Sequence, residues 1–198
     1  MPTLAQTIKQ SENQFMPGHG ACAGCAFPPI IRTVLAASTK PLVVSNATGC
    51  LEVTSTIYPR SSWGVNYIHS VFANAAATIS GIESASRFLE KTVSLKKGVN
   101  FLVIGGDGAT YDIGLQSLSG AFERGHRFVY LCYDNQAYMN TGGQKSGATP
   151  FGANTTTEPS SRTDFGKELP RKNFMNICIA HRASYAAQAS AHNLDDLF

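Results

Sequence analysis

The residues with the clearest chemical potential are cysteines in short loops. Cys22 and Cys25 form a Cys-x-x-Cys pair in a segment rich in glycine and alanine, and we expect Cys50 in a second loop after an apolar run. Thiolates placed in this way can bind iron or zinc. A Cys-x-x-Cys pair alone is equally consistent with a redox dithiol or with half of a zinc site, so the spacing leaves these alternatives open.

A carboxylate and an amide follow two other apolar runs. Asp107 lies between Gly106 and Gly108, directly after the apolar residues 100–104, and Asn135 follows the apolar residues 128–133. The glycines let the backbone approach a diphosphate, while carboxylate and amide oxygens suit Mg²⁺. The alternative interpretation is that Asp107 only caps the next helix and Asn135 only ends a strand.

The elements that must position these residues alternate between strands and helices. Apolar runs and helical periodicity predict strands over 41–45, 100–104 and 128–133, and helices from Pro28, over 74–91 and over 112–124. A further strand is expected over 176–179 and a first helical turn over 193–198. Strand, helix, strand at this spacing is typical of a βαβ unit, whose parallel strands would bring Asp107 and Asn135 to one edge.

The domain organisation follows from length and composition. A chain of 198 residues with 43% hydrophobic content can bury one core, so we expect an N-terminal arm over 1–17 and one domain over 18–198. The segment 141–172 is rich in Gly, Thr, Ser and Pro and is too long for a simple connection. We expect this segment to cover a ligand.

Charge and hydropathy exclude several classes of protein. The formal net charge of +3 is spread along the chain without a basic run, which disfavours nucleic-acid binding. No membrane-spanning stretch and no signal-peptide pattern are evident, so the expected location is the cytoplasm, where cysteines remain thiols or metal ligands. Cys132 and Cys178 lie in apolar runs, which is typical of cysteines that act as small hydrophobes.

Two nucleotide-binding motifs are missing from the glycine-rich segment. Tyr111 stands where a dinucleotide-binding fingerprint beginning at Gly106 needs its third glycine, and the sequence has no Gly-Lys-Ser/Thr phosphate loop. Both nicotinamide and nucleoside-triphosphate sites are therefore disfavoured.

Four segments together resemble one family. Asp107 with Asn135 is similar to the cofactor motif of the thiamine-diphosphate fold. In chain order, the segments 18–25, 46–52, 105–114 and 132–144 resemble the β subunit of pyruvate:ferredoxin oxidoreductases, which are 2-oxoacid:ferredoxin oxidoreductases. The resemblance runs from about Pro17 to the end. It implies an α/β thiamine-diphosphate-binding fold with a mostly parallel sheet flanked by helices, of which a C-terminal part is missing.

The resemblance also implies roles for individual residues. Cys22, Cys25 and Cys50 would bind a [4Fe–4S] cluster, and Mg²⁺ would be held by Asp107, Asn135 and the Ala137 carbonyl. Asn140 would be catalytic and face the substrate. The residues implied to bind thiamine diphosphate are Thr48, Gly49, Cys50, Gly106, Asp107, Gly108, Ala109, Thr110, Asn135 and Asn140.

Two departures from the family pattern concern the cluster and the cofactor. The family's fourth cluster cysteine lies beyond the end of this chain, and Cys178 is a poor substitute because its neighbours are apolar. Phe27 stands where some relatives have a glutamate near the cofactor. The glutamate that activates thiamine belongs to a partner subunit in this family, so we expect this chain to be inactive alone.

The resemblance implies partners as well, and alternatives remain. The partners would be α, γ and δ-type subunits, ferredoxin, pyruvate and coenzyme A, and the segment 138–142 favours pyruvate over other oxoacids. One alternative is a β subunit that serves another 2-oxoacid. Another is a thiamine-dependent decarboxylase or synthase without a cluster. A third is a zinc-stabilised α/β binding protein without catalysis.

Overall fold

A parallel sheet between helices forms the body of the protein. The computed structural model describes residues 4–10, 12–93 and 98–198. Its strands are β1 (Leu42–Ala47), β2 (Asn66–Ser70), β3 (Asn100–Gly106) and β4 (Val129–Tyr133). Its α-helices are α1 (Leu4–Gln10), α2 (Phe27–Ala36), α3 (Cys50–Ser55), α4 (Ala75–Thr92), α5 (Leu115–Glu123), α6 (Phe174–Ala180) and α7 (Leu194–Leu197). A 3₁₀ turn spans Glu12–Gln14, and a π turn spans Gly108–Asp112.

The order of the strands determines where a ligand can bind. All three strand pairs are parallel, and the order is β2-β1-β3-β4. The chain moves outward in one direction from β1 and in the other from β3, so these two neighbouring strands form a topological switch point. Ligands of open α/β sheets bind beyond the carboxyl ends of the strands at such a point.

Buried apolar side chains cover both faces of the sheet. Val44 and Ile104 pack with Leu35 of α2 on one face, whereas Val103 packs with Ile79 of α4 on the other. Burial on both faces explains why β3 contains a continuous apolar run, Phe101–Ile104, and why β1 begins with one, Leu42–Val44. The predicted α/β architecture, with a parallel sheet flanked by helices, is confirmed.

Most predicted elements are present, and one is wrong. The strands predicted over 41–45, 100–104 and 128–133 correspond to β1, β3 and β4, and the three longer helices correspond to α2, α4 and α5. The strand predicted over 176–179 is instead part of α6, because the Asn173 side chain accepts a hydrogen bond from the Asn176 N–H at 3.0 Å and caps a helix. The helical turn predicted over 193–198 is confirmed and corresponds to α7.

Two further features differ from the sequence expectation. β2 was not predicted, since most of its residues are exposed and it follows a loop rich in tyrosine, proline and serine. Cys50 was expected in a loop but is the first residue of α3. The short helix begins immediately after the end of β1, so only two residues separate the strand from Cys50.

The predicted N-terminal arm over 1–17 reaches the core at its end. Phe15 is buried, and its ring makes an edge contact with Trp63 at 5.0 Å between ring centroids. Arg32 donates a hydrogen bond to the Phe15 carbonyl at 3.2 Å. Residues 1–3 and 11 of this arm lie outside the described residues. Within the described part of the chain, no helix has the length and apolar character needed to cross a membrane.

The central strand makes a direct test of this core possible. Ile104 is fully buried in β3, so Ile104→Ala should lower the free energy of unfolding by about 3 kcal/mol through lost burial and a residual cavity. The matched control is Val129→Ala on β4. Val129 is 64% exposed, so this substitution should change the free energy of unfolding by less than about 0.5 kcal/mol. Chemical denaturation measures both, and equal losses would contradict the assignment of Ile104 to the core.

Candidate thiamine diphosphate and metal site

A cleft lies at the carboxyl ends of β1, β3 and β4. The segment after β1 contributes Thr48, Gly49 and Cys50, and the segment after β3 contributes the residues 106–109. The segment after β4 adds Asn135, Ala137 and Asn140. The structure therefore gathers the predicted cofactor-binding residues in one place, with the exception of Thr110.

Thr110 lies behind the cleft. Its buried hydroxyl donates to the Gly106 carbonyl at 2.6 Å and lies 3.0 Å from the Tyr130 hydroxyl. These contacts support the backbone of the turn that begins at Gly108. A direct cofactor contact of Thr110 stays a prediction.

Three oxygen atoms converge at the ends of β3 and β4. The Asn135 side-chain oxygen lies 2.8 Å from Asp107 Oδ1 and 2.9 Å from the Ala137 carbonyl oxygen, while its Nδ2 lies 3.6 Å from Cys50 Sγ. Oxygens this close repel one another unless a hydrogen or a cation lies between them. If the Asn135 amide is rotated by half a turn, its NH₂ group donates hydrogen bonds to Asp107 Oδ1 and to the Ala137 carbonyl. If a cation is bound, the amide oxygen can face the same point as the other two oxygens.

The donor set fits Mg²⁺. A carboxylate, an amide oxygen and a backbone carbonyl are hard oxygen ligands, and Mg²⁺ in phosphate sites usually takes few protein ligands together with phosphate oxygens. Asp107 does not cap the following turn with its side chain, which removes the alternative interpretation of that residue. The predicted trio of Asp107, Asn135 and Ala137 is brought together, and its role as a magnesium site stays a prediction.

A serine that was not predicted completes the surroundings of Asp107. Ser146 donates a hydrogen bond from Oγ to Asp107 Oδ2, so the carboxylate oxygen that faces away from Asn135 is also occupied. Burial raises the pKa of the Asp107 carboxyl to about 6; the Ser146 hydrogen bond opposes this rise, and the negative charge of Asp134 adds to it. A buried carboxylate of this kind gains from a nearby cation.

Two tyrosine rings give a second reason for the glycines at positions 49, 106 and 108, besides the close approach of a ligand to the backbone. A Cβ atom at Gly108 would lie 2.2 Å from Tyr138 Cε1, and one at Gly49 would lie 2.5 Å from the Tyr133 hydroxyl oxygen. At Gly106 the Cβ would lie 3.1 Å from the Tyr133 ring. Even without a bound diphosphate, these positions favour glycine because the rings pack against the backbone.

A histidine and a glutamate extend the cleft wall at Thr48. The Thr48 hydroxyl lies 2.7 Å from His69 Nε2, and His69 Nδ1 lies 3.5 Å from Glu52 Oε1. Glu52 is held in turn by the Thr56 hydroxyl, which donates to Oε1 at 2.8 Å. From the sequence His69 was left out of the predicted site, because a lone histidine in a loop is more often structural.

The cysteines are less completely gathered than the predicted magnesium ligands. The Gly20 N–H donates to the Thr54 carbonyl at 2.7 Å, which ties the segment of Cys22 and Cys25 to the helix that begins at Cys50. Burial raises the pKa of the Cys50 thiol, and the charges of Asp107 and Cys25 add to this rise. Among the described residues, no three His, Cys, Asp or Glu side chains form a group that could hold a metal ion.

The other two cysteines, Cys132 and Cys178, do not line the cleft. Burial raises the pKa of the Cys132 thiol in β4 to about 12 and also raises that of the Cys178 thiol. Cys178 is buried in α6 and makes no contribution to the cleft. Both cysteines behave as the small hydrophobes that the sequence predicts, although the element that contains Cys178 is a helix.

Comparison with known proteins identifies this site's family. Residues 47–198 match the family described as thiamine pyrophosphate enzyme, C-terminal TPP binding domain. The chain belongs to this family. The matched region of the TPP-binding domain begins at the last residue of β1 and includes every residue that lines the cleft, whereas the segment of Cys22 and Cys25 lies outside the match.

Two relatives of the chain are subunits of a pyruvate synthase and of a ketoisovalerate oxidoreductase. The chain is 49% identical over 180 residues to the pyruvate synthase subunit PorB of Methanocaldococcus jannaschii, covering 90% of this chain and 60% of that protein. It is 43% identical over 179 residues to the ketoisovalerate oxidoreductase subunit VorB of Pyrococcus furiosus, covering 90% of this chain and 58% of that protein. The chain thus spans about 60% of the length of these relatives.

A solved structure has the same fold. The 2-oxoglutarate:ferredoxin oxidoreductase from Magnetococcus marinus superposes with a TM-score of 0.75 at 21% identity, covering 94% of this chain and 60% of that chain. Its structure was determined with 2-oxoglutarate, coenzyme A and succinyl-CoA bound.

The pKa of Asp107 leads to a stability prediction. Its carboxyl has a pKa of about 6 in the folded chain against an ordinary value of 3.8, so the folded state binds the extra proton between these values. Without metal, the wild-type chain should lose up to roughly 3 kcal/mol of stability as the pH rises from about 4 to about 7, and Asp107→Asn should remove this loss.

Thermal melting in EDTA at several pH values measures this effect. Asp107→Asn should be more stable than the wild type near pH 7, and the difference should vanish near pH 4, where both side chains are neutral. The control Asp164→Asn changes an exposed carboxyl in the same chain. A wild type that becomes more stable relative to Asp107→Asn as the pH rises over this range would contradict the raised pKa.

Proposed function

We propose that this chain is the thiamine-diphosphate-binding β subunit of a pyruvate:ferredoxin oxidoreductase. The observation that carries the proposal is the meeting of the Asp107 carboxylate, the Asn135 side-chain amide and the Ala137 carbonyl at the carboxyl edge of a TPP-binding domain. In this proposal the three oxygens hold Mg²⁺, and Mg²⁺ holds the diphosphate. The proposed location is the cytoplasm.

The backbone after β3 supplies the second half of the diphosphate site. Gly106, Gly108 and Ala109 line the cleft next to Asp107, and Gly108 begins a turn of helix whose first N–H groups lack partners within the turn. Such N–H groups favour an anion. The thiamine ring, when bound, serves as an electron sink for decarboxylation of a 2-oxoacid.

Asn140 and Thr48 flank the proposed position of the reacting ring. Both residues line the cleft, and the Asn140 backbone N–H donates a hydrogen bond to Cys50. Asn140 is exposed at the mouth of the cleft, where a substrate arrives. We assign Asn140 the role of contacting the substrate, and Thr48 and Gly49 the role of contacting the cofactor.

The choice of pyruvate rests on sequence relatives. The PorB relatives are pyruvate synthase subunits, whereas the VorB relative is a ketoisovalerate oxidoreductase subunit with lower identity. The segment 138–142 also favours pyruvate. The proposed overall reaction converts pyruvate and coenzyme A to acetyl-CoA and CO₂, with electrons passed to ferredoxin, and it is reversible.

The electron-transfer part of the proposal needs a cluster. We assign Cys22, Cys25 and Cys50 as three ligands of a [4Fe–4S] cluster beside the thiamine site. The segment of Cys22 and Cys25 is tied to α3 through Gly20 and Thr54, which supports their approach to Cys50. The α, γ and δ-type subunits would complete the enzyme.

A second candidate is a thiamine-dependent decarboxylase or synthase without a cluster. It is favoured by the finding that no group of three metal-binding side chains occurs in the described part of the chain. Iron content separates the two candidates, because only the first requires a cluster.

The cofactor assignment makes a direct prediction. Asp107→Ala removes the charged magnesium ligand, so the enzyme purified with its partner subunits should lose bound thiamine diphosphate and fall in activity by at least about a hundredfold. The control is Asp164→Ala in the exposed loop before Gly166, which should retain the cofactor. Wild-type thiamine occupancy in Asp107→Ala, measured by fluorescence after oxidation to thiochrome, would refute the assignment.

The cluster assignment makes a second prediction. Cys50→Ala should abolish bound iron in anaerobically purified enzyme, because a thiolate ligand is lost at the proposed cluster. Cys178→Ala removes a buried thiol of α6 and should leave iron content unchanged. Iron and zinc analysis measures both variants. Zinc without iron in the wild type would favour a zinc-stabilised protein, and absence of both metals would favour the cluster-free candidate.

A further inference from the structure

We infer that Ser146 and Thr149 are positioning residues that hold the two halves of the magnesium site in register. The inference rests on the proposed function, because it concerns the site of Asp107, Asn135 and Ala137. Neither residue is itself one of the assigned metal ligands. Both lie in the segment 141–172, far along the chain from β3.

The first half of the site is held by Ser146. Ser146 is 4% exposed, and its hydroxyl donates to Asp107 Oδ2 while accepting a hydrogen bond from the Ala148 N–H at 3.1 Å. Both capacities of the hydroxyl are therefore used. This contact fixes the carboxylate so that Oδ1 faces Asn135.

The second half is held by Thr149. Thr149 is 1% exposed, and its hydroxyl donates to the Gln136 carbonyl at 2.5 Å. Its oxygen accepts a hydrogen bond from the Ser146 N–H at 2.8 Å. One turn of four residues thus contacts both the end of β3 and the segment after β4.

Gln136 is the residue that makes this contact important. It lies between the ligands Asn135 and Ala137 and has a φ of +69°, in the left-handed region that side chains with a Cβ rarely adopt. This conformation lets the side chain of Asn135 and the carbonyl of Ala137 face the same point. The Gln136 N–H donates to Asp134 Oδ1 at 3.0 Å, so the residue is held at both of its backbone polar groups.

A buried lysine reinforces the same turn. Lys167 Nζ donates to the Thr149 carbonyl at 2.5 Å, and its N–H donates to the Ala153 carbonyl at 3.0 Å. The turn is consequently anchored on its far side by the rest of the irregular segment. The long segment 141–172 therefore contributes hydrogen bonds that position the proposed metal ligands, although it contains none of these ligands itself.

The test measures metal affinity, since activity alone would not separate positioning from folding. The enzyme purified with its partner subunits is stripped of metal and titrated with Mn²⁺ in the presence of thiamine diphosphate, and free Mn²⁺ is followed by electron paramagnetic resonance. Thr149→Val and Ser146→Ala should each raise the Kd for Mn²⁺ by about tenfold or more. Thr149→Ser keeps the hydroxyl and should bind like the wild type.

The variant Gln136→Gly distinguishes positioning from a general structural role. If Thr149 only stabilised the fold, the effect of Thr149→Val on the Kd for Mn²⁺ would be the same with glutamine or glycine at position 136. Glycine adopts positive φ without strain, and the Gln136 side chain is exposed to solvent in part, so this variant should bind Mn²⁺ within about threefold of the wild type. On this background Thr149→Val should cause a loss smaller by at least about threefold, because the hydroxyl is no longer needed to hold a strained residue. The control Thr163→Val changes an exposed threonine of the same segment.

Each outcome has a defined meaning. Wild-type affinity in both Thr149→Val and Ser146→Ala, or an unchanged Thr149→Val loss on the Gln136→Gly background, overturns the inference. If Thr149→Val does not fold, Ser146→Ala and the rescue by Thr149→Ser decide the question, and a Ser146→Ala variant with wild-type affinity overturns it. A wild type that binds neither Mn²⁺ nor thiamine diphosphate overturns the proposed function itself.

Discussion

The arrangement depends on the close approach of three polar groups at the ends of two neighbouring strands. Asp107 and Asn135 come together because β3 and β4 are parallel and in register, with Gly106 opposite Tyr133. The Asn135 side-chain amide lies 2.8 Å from Asp107 Oδ1 and 2.9 Å from the Ala137 carbonyl oxygen, so the three polar groups meet at one point. In the proposed function a divalent cation lies among these groups, and we regard their convergence as the feature that the remaining residues serve.

The surroundings of Asp107, Asn135 and Ala137 are consistent with that view. Burial works against the charged form of Asp107, and folding alone would be easier with a neutral residue at this position. Gln136 adopts an unfavourable backbone conformation in the same few residues. Local strain of this kind persists where the surrounding structure holds it in place, and it is common at ligand sites. Here the hydrogen bonds from Ser146 and Thr149 provide that support.

The sequence predicted the frame of the site because the frame is encoded locally. β3 and β4 are continuous apolar runs, and the spacing from Gly108 to Asn135 matches one helix and one strand, so the adjacency of Asp107 and Asn135 follows from βαβ geometry. β2 was missed because a short, half-exposed strand lacks a hydrophobic pattern and depends on pairing with β1. The strand predicted around Cys178 was wrong because a short apolar run does not distinguish strand from helix.

The supporting contacts could not be predicted from local patterns. Ser146 is 39 residues from Asp107, and no periodicity or motif joins two loops over that separation. The tyrosines that pack against Gly49 and Gly108 are likewise tertiary contacts, so the glycines could be assigned only to ligand access. A Ser-x-x-Thr pattern does indicate a local turn, although it does not indicate which residues the turn will contact.

The most direct test of the central claim is a crystal structure of the enzyme with thiamine diphosphate and Mn²⁺, collected with anomalous scattering from manganese. The account predicts an anomalous peak about 2.2 Å from Asp107 Oδ1, the Asn135 side-chain oxygen and the Ala137 carbonyl oxygen, with diphosphate oxygens completing the coordination. A diphosphate bound in the cleft with its metal away from these three oxygens would contradict it.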